Sequence, residues 1–199
     1  MQSKEHTGIH IEGHIKIWDP ESSEVFVNKR NAIHYENMSI ALANGVVNNG
    51  QQFIYKMAFG NGGTSVDPTG IITYLTPNST GSNASLYNLT YSKVVNNRSY
   101  DNNDPTRNYI QVLHTPGNNY TDIVITCLLD YGEPTNQSAY DTTPNGEQEY
   151  VFDELGLISY DPTISNMLLT HVIFHPVQKS LNRLVQVDYT VRIQTLTGV

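Results

Sequence analysis

From Val185 to Ile193 every second residue is apolar: Val185, Val187, Tyr189, Val191 and Ile193 alternate with Gln186, Asp188, Thr190 and Arg192, and Gln194 continues the series. Successive side chains of an extended strand point to opposite faces, so this period of two specifies a strand with one face in a core and the other in water. Parallel sheets bury both faces, whereas antiparallel sheets tolerate a wet one, so the pattern points to an antiparallel sandwich or barrel. The chain opens in the same way. Ile9, Ile11, Ile15 and Ile17 alternate with His10, Glu12, His14 and Lys16, and Gly13 occupies one apolar position without a side chain.

Between these ends, residues 24–27, 53–59, 87–95, 109–113, 122–129, 150–157 and 168–174 read as further strands. They are rich in β-branched and aromatic residues and are bounded by Gly, Pro, Asn and Asp. One helix is expected over Asn31 to Asn44, where Tyr35, Met38, Ala41 and Leu42 share a face, with Asn31 as its N-cap and Gly45 at the left-handed C′ position. The predicted fold is mainly β: a single domain spanning residues 1–199, an antiparallel β-sandwich with one flanking helix.

Two long polar connections, residues 96–108 and 130–149, interrupt this plan. Loops of that length in a compact domain usually have a task of their own. Tyr100, Tyr131 and Tyr140 lie within them. Tyrosine supplies contact area at low entropic cost, which marks these three as candidate interface residues; solvated loops with locally packed rings are the equal alternative.

Charge and cysteine content narrow the function classes. A net charge of -8, with only 11 Lys and Arg scattered along the chain, argues against a nucleic-acid partner, which requires clustered cations that displace counterions. No stretch approaches the apolar length of a membrane helix, and the first residues, Met1 to His6, lack the apolar core of a signal peptide. Synthesis in a reducing cytosol is therefore expected, and the Asn-x-Ser/Thr triplets at Asn78, Asn83 and Asn88 are read as products of an Asn-rich composition. The lone Cys127 sits in an apolar run and is expected to be a buried, inert thiol.

No residue set rises to a catalytic or metal centre. His10 with His14 and His171 with His175 have the i, i+4 spacing that chelates zinc on a helix, but both pairs fall in predicted strands, where four residues span about 13 Å. A site shared between chains by symmetry stays open. Gly60-Asn61-Gly62-Gly63-Thr64 lacks the Gly-Lys-Ser/Thr ending of a phosphate loop and is read as a tight loop needing glycine conformations. The carboxylate pair Asp19 and Glu21 belongs to a predicted turn. Asp153 and Glu154 show nothing that marks a glycosidase cleft, and no Gly-x-Ser-x-Gly elbow is present. No cofactor is expected.

Three segments together resemble a module of tailed-bacteriophage virion proteins, the tail-collar, baseplate and fibre-attachment domains. They are Val27-Asn28-Lys29-Arg30-Asn31-Ala32-Ile33-His34-Tyr35; Ile54 to Thr64 with its glycine loop; and Phe152-Asp153-Glu154-Leu155-Gly156-Leu157 followed by Leu168 to Phe174, Pro176, Lys179 and the alternating terminal strand. The resemblance lies in the order of the elements across most of the chain; the Asn-rich insertions between residues 76 and 149 depart from it. It implies a β-sandwich with one flanking helix, homo-oligomeric assembly, other virion proteins as partners, a place in the virion after synthesis in the host cytoplasm, and no enzymatic activity. A capsid decoration protein, a carbohydrate-binding module and a capsule or cell-wall hydrolase are the alternatives.

Overall fold

The computed structural model describes residues 8–48, 50, 53–81, 84–134, 140–141, 149–160 and 167–196. In chain order the elements are β1 (Gly8–Trp18), β2 (Val25–Ile33), α1 (Tyr35–Val46), β3 (Ile54–Gly60), β4 (Thr64–Val66), β5 (Ile72–Tyr74), β6 (Leu89–Val94), β7 (Tyr109–Leu113), β8 (Tyr120–Leu129), β9 (Tyr140–Asp141), β10 (Glu149–Ser159), β11 (Leu168–Ser180) and β12 (Val185–Leu196). The fold is mainly β and antiparallel with one flanking helix, as the alternation requires.

The two layers are halves of one curled sheet in the order β6-β3-β10-β11-β2-β1-β12-β8-β7, with β9 added to β10 and β4-β5 forming a separate hairpin. Strand β2 makes the turn from one half to the other. It pairs with β1 over Val25 to Asn31 and then, at Ala32 and Ile33, with β11. The inner faces of both halves meet in one apolar cluster: Ile15, Ile17, Ile125, Val187 and Tyr189 from one, and Met57, Phe59, Phe152, Leu155, Val172 and Phe174 from the other. Burying such a side chain contributes about 1.5–3 kcal/mol, more than the ~1 kcal/mol range of strand propensity, so burial and not propensity sets the register.

The first and last strands lie side by side in one unbroken register from Gly8 opposite Leu196 to Trp18 opposite Gln186. The gap at Gly13 in the isoleucine series has a steric reason. Asn31 stands opposite it and donates to the Tyr189 hydroxyl, and a Cβ at residue 13 would overlap the Asn31 side chain.

The helix departs from expectation. It begins at Tyr35, so Asn31 lies in β2, and the cap is His34, whose Nδ1 accepts from the Asn37 amide. Gly45 is inside the last turn, and the helix closes at Val47. Tyr35 is exposed, whereas Met38, Ala41 and Leu42 do face the core. The apolar periodicity survives only in the middle of the predicted segment because β2 uses Asn31 to Ile33 for sheet pairing. Asn37 then ties the helix to the sheet by donating to the Leu168 carbonyl at 2.8 Å.

Gly156 shows how tightly β10 and β11 are packed: a Cβ there would lie 2.6 Å from the Thr170 carbonyl oxygen and 2.6 Å from Leu168 Cδ1. Backbone cannot retreat as a flexible side chain can. Gly156→Ala is therefore expected to destabilise the fold by about 1–3 kcal/mol in a denaturant titration.

Candidate functional site

A β-bulge places two consecutive carboxylates on the same side of β10. Phe152 pairs with Val177 and Glu154 with Ile173, so Asp153 faces an irregular stretch of β11 at Phe174, His175 and Pro176. Proline has no N–H to give to the ladder, and a bulge is where a sheet accommodates it. The irregularity shifts the alternation by one. Phe152 and Leu155 both enter the core, and Asp153 and Glu154 both turn to the opposite face.

There they hold the glycine loop. Asp153 accepts from the amides of Gly63 at 2.9 Å and Thr64 at 2.8 Å and from the Thr64 hydroxyl. Glu154 accepts from the amides of Gly62 (3.1 Å), Tyr87 (2.9 Å) and Asn88 (2.8 Å), and from His171 Nε2 (3.0 Å). Because His171 Nδ1 accepts the Asn78 amide at 2.8 Å, its proton sits on Nε2 and is donated to Glu154. Both carboxylates are buried, and these donors occupy their acceptor positions.

The glycines serve close approach and not the conformational freedom expected of them. Gly60, Gly62 and Gly63 have no positive φ. A Cβ at Gly60 would lie 2.4 Å from Glu154 Oε1 and 2.5 Å from the Asn88 carbonyl oxygen, and one at Gly62 would lie 2.7 Å from the Asn88 nitrogen. At Gly60 and Gly62 only backbone fits beside Glu154, Tyr87 and Asn88.

From this clasp projects the β4-β5 hairpin, paired from Thr64 opposite Tyr74 to Val66 opposite Ile72. A two-stranded hairpin is marginal alone. Here it is tied to the body by Asp153 at one end, by the Leu75 amide to the Gly63 carbonyl, and by Tyr74 to His175 Nδ1 at 3.2 Å. The segment that it belongs to exposes Val66, Ile71, Tyr74, Leu75, Tyr87 and Leu89.

The second polar assembly lies at the seam where β6, at one end of the curled sheet, meets the end of β8. Lys93 on β6 donates to the Leu128 carbonyl at 2.7 Å and pairs with Glu133. Arg107 bridges Asp104 and Asp130. A pocket of about 240 Å³ opens here, lined by Tyr91 to Val94, Asp101 to Asp104, Arg107, Asp130 and Glu133. Beneath it the fully buried Lys179 donates to the carbonyls of Asp130 and Ser180; burial pushes its pKa down to about 8 against the pull of Glu133 and Asp130.

The loop that spans the seam is ordered by its own asparagines. Asn102 Nδ2 donates to the Asn96 and Asn108 carbonyls, Asn108 Nδ2 donates to Asp104, and Asn108 Oδ1 receives the Leu128 amide. At its tip Tyr100 is 105% exposed. Tyr131 is half exposed and donates to Glu21, across the turn that Asp19 caps through the Glu21 amide. Tyr140 lies in β9; its side chain and most of the 130–149 connection fall outside the described residues, as does Asn83. The structure does not gather the three tyrosines into one described cluster.

Other candidates separate. His171 is buried in the clasp and His175 is exposed beside Tyr74, while His10 and His14 lie on the outer face of β1. Among the described residues no three His, Cys, Asp or Glu side chains are grouped as metal ligands, and no helix is long and apolar enough to cross a membrane. Cys127 is buried on β8, and burial raises its thiol pKa to about 12. Trp18 donates to Asp188 at 2.7 Å and carries Lys16 over its ring. No protein family, no curated protein and no solved structure matches the chain.

Burial by itself would raise the Glu154 pKa, but the bonds from His171, Asn88, Tyr87 and Gly62 outweigh it and hold the carboxyl below its ordinary value. The unfolded chain then takes up this proton first as pH falls. The stabilisation is complete above the ordinary carboxylate range and is lost as pH drops through the folded value. Glu154→Gln, which sets an NH2 group among donors, is expected to cost about 3 kcal/mol at neutral pH. The deficit against wild type should narrow below about pH 4, and amide exchange at Gly62, Tyr87 and Asn88 should accelerate.

Proposed function

We propose that this chain is a structural subunit of a tailed-phage particle, in its collar, tail, baseplate or fibre-attachment region, and that it works by docking against neighbouring proteins. The observation that carries the reading is the pairing of exposure with rigidity. Val66, Ile71, Tyr74, Leu75, Tyr87 and Leu89 are exposed on a segment that two buried carboxylates hold in place, and Tyr100 stands fully exposed on a loop tied by Asn102 and Asn108. Ordering entropy has already been spent on such groups, so a partner that covers them gains area at little further cost. Exposed apolar side chains concentrated on one segment are characteristic of contact surfaces. The order of elements seen in the sequence suggests the virion setting, and the polar assemblies support the same reading, because the clasp carboxylates hold backbone amides and those of the seam pair with Lys93 and Arg107.

Mass spectrometry of purified particles should find the chain in fixed stoichiometry with other virion proteins; its absence would overturn the assignment. The double variant Val66→Ser and Tyr100→Ala should lower incorporation by about tenfold or more while shifting folding stability by less than about 0.5 kcal/mol. Glycan binding lost with Tyr100→Ala would instead favour a carbohydrate-binding module.

A further inference from the structure

Among the described residues the main run of the curled sheet ends in two edge strands, β6 and β7, with the two-residue β9 lying off this path on β10. Edge strands invite pairing with another chain unless charge, proline or a bulge prevents it. The β6 edge is protected: it carries Lys93 and runs beside Asp101, Asp104, Arg107, Asp130 and Glu133 of the seam. The β7 edge has no such protection. None of residues 108–121 is Asp, Glu, Lys or Arg, and the preceding Arg107 is drawn back to Asp104 and Asp130. Val112 is 68% and Leu113 52% exposed.

We propose that β7 is a self-pairing edge through which two copies of this chain join, antiparallel and two-fold symmetric about Gln111. The proposal builds on the assembly reading above by naming one partner. The N–H and C=O of each strand residue point to the same side, and the side alternates along the strand. The Ile110 amide is directed away from β8, toward Asn97 Oδ1 at 3.5 Å. Ile110 and Val112 therefore offer their backbone groups to the free edge, while Tyr109, Gln111 and Leu113 complete the ladder with β8.

Two-fold pairing about Gln111 sets Ile110 opposite the second copy's Val112, twice, giving four backbone hydrogen bonds and releasing the long contact to Asn97. The same register sets Tyr109 against the second copy's Leu113. Every exposed apolar side chain of the strand thus meets an apolar partner. Centring on Val112 would instead oppose Ile110 to His114 and Gln111 to Leu113, and centring on Ile110 would oppose Val112 to Asn108. Two molecules each carrying a net charge of -8 repel in general; across an uncharged strand they approach with no carboxylate directly opposed. An isologous contact of this kind closes on itself and yields a dimer, not a filament. A five-residue strand (Tyr109–Leu113) is a small interface, so the dissociation constant is expected on the order of micromolar.

Gln111 would face its own symmetry mate in a non-hydrogen-bonded pair, with Cα atoms about 4.5 Å apart, within disulfide range. Cys127 is fully buried and does not compete. Under mild oxidation Gln111→Cys should form a disulfide-linked dimer of the full chain at least about tenfold faster than the exposed control Ser65→Cys. In sedimentation velocity, wild-type protein should pass from 22.3 kDa toward twice that mass with rising concentration. Val112→Pro, which removes an N–H from the free edge only, and Val112→Lys should both remain monomeric. A wild-type protein that stays monomeric throughout, equal cross-linking rates for the two cysteine variants, or a dimer that survives both Val112 changes would each overturn the proposal. A dimer formed by a chain absent from phage particles would leave this inference standing and refute the virion assignment, and the reverse result would do the opposite.

Discussion

Two neighbouring residues of a regular strand cannot point to the same side, and the structure depends on one place where they do. The bulge at Asp153 lets Phe152 and Leu155 fill the core while Asp153 and Glu154 turn outward together. With one carboxylate facing the core, an ionised group would be buried without donors, at a cost of several kcal/mol. With both on the outer face, they gather five backbone amides and His171 and fix the backbone at Gly62 to Thr64 and at Tyr87 and Asn88 over the sheet. The glycines are the other half of this arrangement, since a side chain at Gly60 would occupy the space of a Glu154 oxygen and one at Gly62 would strike Tyr87 and Asn88.

The period-two segments were legible because burial on one face leaves a direct trace in sequence: β1 and β12 follow the alternation of Ile, Val and Tyr nearly to their ends, whereas β7 and β8 were marked by β-branched and aromatic content. The helix was legible only in its middle. Asn31 is a good cap by chemistry, yet sheet pairing at Ala32 and Ile33 claims the backbone around it, and His34 takes the role through a ring nitrogen that cap preferences do not favour. The hairpin β4-β5 is too short for periodicity to register. Its position follows from Asp153, which lies 89 residues along the chain from Thr64.

The carboxylate pair and the glycine loop were each visible as motifs, but their connection was not, because nothing local says that residue 63 lies against residue 153. Phe-Asp-Glu-Leu does contain a trace of the bulge: two acidic residues between two large apolar ones break the alternation that the flanking residues otherwise keep. The asparagines between residues 96 and 108 look like the composition of a solvated loop. In the structure several of them act as short bridges that bind the loop to itself, which is how an apolar-poor segment becomes ordered without a core of its own.

The antiparallel register that sets Gly8 beside Leu196 brings the entry and exit of the domain to within one inter-strand spacing of each other. A polypeptide continuing from both strands would come and go through a single doorway. The unit could therefore be spliced into a surface turn of another protein without prying that host apart, or opened at the connection between β7 and β8 after its ends had been tied together.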